Sequence, residues 1–210
     1  LLLDCQSLEY KHFPIELADY SLILCNSNVS HSLADSEYNV RRQQCEEGVA
    51  IISRHYPNVE SLRDISLDQL AAHQSELSDV VYRRCEYVIK ENDRVMAMTT
   101  AMEKSDFKTL GEILTAAQAG MKDRYEISCA EIDFMADYAN NSEEVLGARM
   151  MGGGFGGCTI NLVNKGSEER FIADLSVAYK LQFDKDLTPI LVRIADGVSR
   201  INSLIIDEKL

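Results

Sequence analysis

The sequence has few basic residues. Its 210 residues include 21 Lys and Arg against 34 Asp and Glu, which gives a formal net charge of −13 at pH 7. Nucleic acids and anionic membrane surfaces are bound through basic faces, so this charge balance argues against both as partners. The hydrophobic content of 46% is enough to form the core of one ordinary domain, or of one large part of a two-lobed enzyme.

Long apolar runs are also missing. No stretch approaches the roughly 18 consecutive apolar residues that a spanning helix needs. The opening residues lack the basic region and the apolar segment of a secretory signal. The sequence therefore predicts a soluble protein with a cytoplasmic location. Residue 1 is Leu rather than Met, and the chain opens directly in a strand-like pattern, so we expect it to be part of a longer protein.

Metal-binding and disulfide patterns are absent as well. The six cysteines form no C-x-x-C pair and sit on apolar or amphipathic stretches, which indicates reduced core thiols. The four histidines, at positions 12, 31, 55 and 73, fall in no H-x-x-x-H or Cys/His cluster. Zinc sites usually show such spacings, so the sequence predicts no metal site.

Hydrophobic periodicity predicts an α+β fold, with helices packed on an antiparallel sheet. Short apolar runs predict strands at 1–8, 20–26, 148–151, 158–163 and 189–194, the first two paired or adjacent. A polar loop is expected at 26–35. Helical spacing predicts helices at 36–56, 77–102, 107–117, 132–139 and 171–179. Capping boxes at Ser66–Gln69 and Ser128–Glu131, and a cap at Ser167, predict further helix starts.

A glycine-rich segment separates two of the predicted strands. Five of its six residues are glycine: Gly152, Gly153, Gly154, Phe155, Gly156 and Gly157. Glycine costs more backbone entropy on folding than any other residue, but it permits positive φ and close approach of a ligand. The segment therefore predicts a phosphate-binding nest, an active-site wall or a tight hairpin. No Lys-Ser or Lys-Thr follows it, and a strand rather than a helix does, which excludes a P-loop and a dinucleotide-binding turn.

Two segments resemble signature segments of the galactokinases, a family of the GHMP kinase superfamily. Residues 147–158 are similar to the third GHMP motif in its galactokinase form. Asn26-Ser27-Asn28-Val29, followed by Ser36 to Glu46, resembles the galactokinase pattern N-S-N, S-E-Y-x-x-R-R-x-Q-C. The resemblance implies a GHMP kinase C-terminal domain over residues 35–210. It also implies that residues 1–34, strands and a loop, continue from an N-terminal lobe that this sequence does not contain.

The resemblance also implies a function. Galactokinases transfer the γ-phosphate of ATP to O1 of galactose, and the family's phosphate loop and the segment with its catalytic Asp do not occur in these 210 residues. We therefore expect no catalytic residue and no metal ligand here, ATP and Mg²⁺ bound mainly by the N-terminal lobe, and an inactive fragment. Substrate contact is expected from Tyr38, which would hydrogen-bond a galactose hydroxyl, and from residues 152–157.

Alternatives remain open for several of these residues. Tyr38 also fits an ordinary core position of an amphipathic helix. Arg41 and Arg42 suit a nucleotide phosphate, but also ion pairs with Glu37 and Glu46 at helical spacing. Tyr87 stands where the family usually has His, and residues 117–120 (Ala-Gln-Ala-Gly) replace its usual S-H-x-S. A non-catalytic sensor of galactose and ATP, and a kinase for N-acetylgalactosamine, are the alternative functions.

Overall fold

The computed structural model describes residues 1–30 and 34–195, which form six strands and six α-helices. The strands are β1 (Leu2–Leu3), β2 (Tyr10–Lys11), β3 (Tyr20–Ser30), β4 (Val145–Met150), β5 (Gly156–Asn164) and β6 (Thr188–Leu191). The helices are α1 (Ala34–Ile52), α2 (Leu67–Ala72), α3 (Asp79–Glu103), α4 (Phe107–Gly120), α5 (Ala130–Asn140) and α6 (Glu168–Phe183). Short 3₁₀ turns lie at Leu62–Asp64 and Gln74–Glu76, and a π-helical turn at Met121–Tyr125.

Four strands form one antiparallel sheet in the order β4-β5-β3-β6. Neighbouring residues of a strand point to opposite faces, and the sheet is covered on both. Ile23 and Cys25 face a core that contains Met135 of α5 and Tyr179 of α6. On the other face, Leu22 packs in a cluster with residues of α3 and α4. Helices on an antiparallel sheet were predicted, and this α+β class is confirmed.

A second group of helices builds its own hydrophobic cluster. Residues of α1, α2 and α3, such as Ile52, Leu70 and Cys85, are fully buried in it. The predicted capping box that starts α2 is confirmed, because Ser66 Oγ accepts from the Gln69 amide at 3.1 Å and Gln69 Oε1 accepts from the Ser66 amide at 2.8 Å. Within the described residues, no helix combines the length and the apolarity needed to cross a membrane.

Helix α4 lies directly against β4. A Cβ atom added at Gly111 of α4 would overlap the backbone of Leu146, and one added at Gly147 of β4 would overlap the backbone of Gly111. The two backbones therefore touch at this point, and glycine is needed on both sides. This contact fixes the strand that leads into the glycine-rich segment.

The predicted strand at 1–8 is wrong over most of its length. β1 covers two residues and pairs with β2 in a small separate sheet, so it does not neighbour β3. The reason is a local turn at Asp4, whose Oδ1 accepts the amides of Gln6 at 2.8 Å and Ser7 at 3.1 Å. These bonds satisfy the backbone inside the loop and compete with strand formation.

The predicted capping box at Ser128–Glu131 is also wrong. Helix α5 has Cys129 at its N-cap, and Ser128 Oγ is buried without a hydrogen-bond partner among the described residues. Glu131 pairs with Lys185, with 2.7 Å between Oε1 and Nζ, and its carboxylate also contacts Cys129, the N-cap residue, and the amide of Glu131 itself. Ser167 does precede α6 as predicted, but its side chain makes no capping bond.

Two smaller expectations differ from the structure. β3 continues as a strand to Ser30, with an irregularity after Asn26, where a loop was expected from residue 26. The rest of that loop, residues 31–33, lies outside the described residues. The cysteines are free thiols as expected, but Cys5 is exposed, so the interpretation as core thiols is wrong for this residue.

Candidate functional site

The glycine turn, residues 152–157, closes the hairpin between β4 and β5 and lies beside the Asn-Ser-Asn segment of β3. Together they line one concave surface, formed by Asn26, Asn28, Val29, Met151 and the six turn residues. Ser27 Oγ donates to the carbonyl oxygen of Gly157 at 2.9 Å, which ties the two segments together. The two segments singled out in the sequence are thus neighbours in the fold.

The backbone of the glycine turn takes conformations that other residues rarely adopt. Gly152, Gly154, Gly156 and Gly157 all have positive φ, between 82° and 133°. A Cβ at Gly154 would overlap the carbonyl oxygen of Ile127, whereas a Cβ at Gly152, Gly153 or Gly157 would meet no atom within 4 Å. One glycine is therefore needed for packing, and three border open space, where a ligand can approach the backbone.

The glycine turn contains three successive backbone amides that bond to no acceptor among the described residues. Within residues 1–30 and 34–195, the amides of Gly152, Gly153 and Gly154 have no hydrogen-bond acceptor, while the Met151 amide donates to Cys158 and the Phe155 amide to Ile127. Successive amides in a turn of this kind form a concave donor set for a phosphate or another anionic oxygen. The arrangement therefore suits an anion or a sugar hydroxyl oxygen.

The Asn-Ser-Asn segment of β3 is anchored by a hydrogen bond from the hydrophobic core. Tyr179 is fully buried, and its hydroxyl donates to the carbonyl oxygen of Ser27 at 2.9 Å. Burial raises the pKa of Tyr179 to about 12, so the phenol stays protonated and remains a donor. Asn28, in a left-handed conformation with φ of 55°, donates from Nδ2 to the carbonyl oxygen of Asp186. The Asn-Ser-Asn segment is therefore held rigidly.

Helix α1 reaches the same region through the connection between α4 and α5 (residues 121–129). Arg41 is buried, with 8% exposure, and donates to the carbonyl oxygens of Tyr125 and Glu126, each at 2.8 Å. Ile127 then accepts the amide of Phe155 at 2.8 Å. A continuous series of backbone contacts thus joins α1 to the glycine turn. Sequence analysis missed this role of Arg41, because its carbonyl partners are more than 80 positions away.

Tyr38 lies three residues before Arg41 and is 59% exposed. The other members of the apolar stripe, Cys45, Val49, Ile52 and Tyr56, are buried or partly buried. This exposure does not fit the interpretation of Tyr38 as a core residue. Arg41 and Arg42 form the expected ion pairs, with Glu37 at 2.9 Å and Glu46 at 2.8 Å. Arg42 is exposed, whereas Arg41 is a buried structural residue.

A cluster of charged residues supports the same connection from α3. Arg84 is buried and donates to Glu126 Oε2 at 2.6 Å, to Gln44 Oε1 at 3.1 Å and to the carbonyl oxygen of Arg124. Hydrogen bonds from Arg84 lower the pKa of the Glu126 carboxyl. Tyr125 stacks on Tyr87 with ring centroids 4.7 Å apart. The connection is therefore fixed by long-range polar contacts rather than by its own sequence.

Comparison with known proteins decides the family. A family profile described as "GHMP kinases C terminal" matches residues 98–181. The galactokinase of Thermotoga neapolitana is 40% identical over 201 residues, which cover 96% of this chain and 55% of that protein. The chain contains a GHMP kinase C-terminal domain. Residues 98–181 are the part of the chain that matches this domain. A GHMP kinase C-terminal domain is what the resemblance implied.

Two further relatives agree with this GHMP kinase assignment. The galactokinase of Roseiflexus sp. is 38% identical over 96% of this chain and 51% of its own length. The crystal structure of Lactococcus lactis galactokinase, solved in complex with galactose, superposes with a TM-score of 0.89 at 30% identity, over 95% of this chain and 51% of that one. This GHMP kinase chain thus spans about half the length of the galactokinases that it matches.

Proposed function

We propose that the intact protein containing this chain is a galactokinase, which transfers the γ-phosphate of ATP to O1 of galactose. The observation that carries the proposal is the placement of the Asn-Ser-Asn segment and the glycine turn on one concave surface, in a chain 40% identical to a galactokinase over 96% of its length. In this proposal residues 1–34 continue from the N-terminal lobe and 35–210 form the C-terminal domain. β3 then contributes to the sheet of the C-terminal domain, because it pairs with β5 and β6.

In this proposal the chain itself binds and orients the substrates. The open amides of Gly152, Gly153 and Gly154 are suited to an anionic or hydroxyl oxygen of the substrates. The exposed phenol of Tyr38 is suited to a sugar hydroxyl, as either donor or acceptor. Tyr38 is not among the residues that line the concave surface with the glycine turn. Its contact with the sugar is therefore part of the proposal.

Phosphoryl transfer also needs charge stabilisation by Mg²⁺ and a carboxylate near the accepting hydroxyl. The described residues that line the concave surface include no carboxylate. The concave surface therefore offers no ligand for Mg²⁺ and no carboxylate for the accepting hydroxyl. We assign Mg²⁺, most ATP contacts and the catalytic Asp and Arg to the N-terminal lobe. We therefore expect residues 1–210 alone to show no galactose-dependent turnover, and a cytoplasmic location for the intact enzyme, consistent with its six free thiols.

The test is ATP consumption by the intact protein, with and without galactose. Tyr38→Phe is expected to raise the KM for galactose roughly threefold to tenfold with little change in kcat, because one neutral hydrogen bond to the substrate is lost. Tyr10→Phe is the matched control, since Tyr10 is also exposed and lies in β2, in a separate sheet. Equal KM values for wild type and Tyr38→Phe would remove Tyr38 from the site.

Gly153→Ala tests the glycine turn separately. A methyl group at this position meets no protein atom, so the variant should fold normally. If a substrate approaches the turn, the methyl group should weaken its binding, measured as KM for galactose and for ATP. Galactose binding without turnover in the wild type would favour the sensor function, and turnover that prefers N-acetylgalactosamine would favour the sibling kinase.

A further inference from the structure

Two histidines and one glutamate converge near the end of α1. His55 follows α1, His73 follows α2, and Glu76 ends the 3₁₀ turn Gln74–Glu76. His55 Nε2 lies 3.0 Å from Glu76 Oε2, and His73 Nδ1 lies 2.8 Å from Glu76 Oε1. The three side chains can each offer one ligand atom, and these atoms lie within 4.8 Å of one another. No sequence motif joins these histidines, and the fold brings His55 and His73 together.

Packing holds the two imidazole rings in place. They stack with centroids 3.8 Å apart and planes 18° apart. The ring of Tyr56 meets His73 edge-on, with centroids 5.6 Å apart. The backbone contributes too, because the Glu76 amide donates to the carbonyl oxygen of His73 at 3.0 Å. Ligand groups that are held in this way lose little freedom when an ion binds.

The cluster is accessible and its negative charge is available. His55 and Glu76 expose 36% and 42% of their side chains, while His73 exposes 18%. Among the ion pairs of the described residues, Glu76 takes part in these two with histidine and in none with Lys or Arg. A carboxylate without a cationic partner, facing one nitrogen of each imidazole, attracts a cation.

We propose that His55, His73 and Glu76 form a binding site for a divalent first-row transition-metal ion, with Zn²⁺ as the favoured occupant. Imidazole nitrogen suits Zn²⁺, Cu²⁺ and Ni²⁺, whereas Mg²⁺ and Ca²⁺ prefer sets of oxygen ligands. Two nitrogens and one carboxylate give three protein ligands and leave a fourth tetrahedral position for water. In the metal-bound form the proton of each ring lies on its other nitrogen, Nδ1 of His55 and Nε2 of His73.

This site is separate from the glycine turn, because none of its three residues lines the concave surface described above. The ion joins the residue that follows α1 to the two residues between α2 and α3. An ion that binds the folded state and not the unfolded chain stabilises the fold by mass action. The site therefore serves the stability of the helix group formed by α1, α2 and α3 rather than phosphoryl transfer.

Cobalt(II) titration of the intact protein tests the proposal, with visible absorption as the readout. We expect one strong site whose spectrum shows nitrogen and oxygen ligands, without the intense sulfur-to-metal band that cysteine ligands would give. Zn²⁺ should displace the cobalt, and Mg²⁺ at the same concentration should not. Zn²⁺ should also raise the midpoint of thermal unfolding. A cobalt spectrum dominated by the sulfur band would overturn the proposal.

Variants locate the site. His55→Gln and His73→Gln should each weaken cobalt affinity at least about tenfold, since removal even of groups that only support a metal ligand costs that much. His12→Gln is the matched control, because His12 is exposed, its ring packs edge-on against Tyr10, and it is not a member of the cluster. Equal affinity in wild type and in the His55→Gln/His73→Gln double variant, or an equal loss in His12→Gln, would disprove the site.

Circular dichroism of each variant distinguishes a loss of fold from the loss of a metal ligand. If circular dichroism shows that His73→Gln is unfolded, Glu76→Gln provides the second test, because this residue is more exposed and the substitution preserves its shape. Glu76→Gln must also weaken cobalt binding and abolish the Zn²⁺-dependent rise in unfolding temperature. A folded Glu76→Gln variant that binds as tightly as wild type contradicts the proposal.

Discussion

Tyr87 of α3 lies directly against Gly120 at the end of α4, so that a Cβ added at Gly120 would come within 2.9 Å of Cδ2 of the tyrosine ring. Tyr87 is buried, with 7% exposure. Both residues are departures from the usual galactokinase pattern, which has His and Ser at these positions. The structure therefore places the two departures in contact, with the larger ring facing the smaller residue.

Gly120→Ser should destabilise the protein by about 1 to 3 kcal/mol, because it overfills a packed region. The same change should cost less in a Tyr87→His background, where the ring is smaller. A double-mutant cycle on the free energy of unfolding in urea measures the coupling, which we expect to lie between about 0.5 and 3 kcal/mol. Additive effects of the two substitutions would show that the contact carries no coupling.

Arg41 and Arg42 are neighbours in sequence with opposite roles, which provides an internally matched pair. Arg41→Ala should lower the free energy of unfolding by about 2 to 3 kcal/mol, because the carbonyl oxygens of Tyr125 and Glu126 lose their donor. Arg42→Ala should have no measurable effect, since its ion pair with Glu46 is exposed. Urea denaturation measures the free energy of unfolding of both variants. Equal effects of the two substitutions would contradict the role of Arg41.

The glycine turn provides a second matched pair. Gly154→Ala should cost at least about 2 kcal/mol of stability, because alanine is strained at a φ of 95° and its Cβ overlaps Ile127. Gly153→Ala should stay within about 0.5 kcal/mol of the wild type. Thermal unfolding of both variants measures the difference. A larger loss at Gly153 than at Gly154 would mean that the turn packs differently from this description.

Stability should fall in acid partly because of Glu126. Hydrogen bonds from Arg84 lower the pKa of this carboxyl in the folded state, below the value of about 4.3 for an unperturbed glutamate. Its contribution is therefore fully present above about pH 4.3 and is lost as the pH falls through the lowered folded pKa. Glu126→Gln should flatten this part of the stability curve, as measured by urea unfolding from about pH 7 to about pH 3. A curve parallel to that of wild type would refute the contribution.

The local part of the fold could be predicted from sequence, and the long-range part could not. The helix predicted at 77–102 is observed at Asp79–Glu103, because its apolar residues recur at helical spacing and its burial follows from that pattern. The capping box at Ser66 was found because both of its bonds join residues three apart. By contrast, the equally good pattern at Ser128 fails, since Glu131 is engaged by Lys185, 54 positions away.

The candidate site shows the same division. The glycine turn and the Asn-Ser-Asn segment could be identified from composition and resemblance, but their contact depends on the pairing of β3 with β5. The π-helical turn at Met121–Tyr125 and its attachment to Arg41 carry no local signal, because the bonds that hold them come from α1 and α3. His55 and His73 are likewise 18 positions apart in sequence, a spacing that no short motif describes.

The backbone contact between Gly111 and Gly147 bears on how force passes through the domain. β4 runs from this contact into the glycine turn, and two backbones that touch have no side chain between them that could rotate to absorb a displacement. The end of the glycine turn that joins β4 is therefore stiff. A substrate that presses on the turn should bend its far end, where Phe155 is hydrogen-bonded to Ile127, and transmit the strain towards Arg41 and α1.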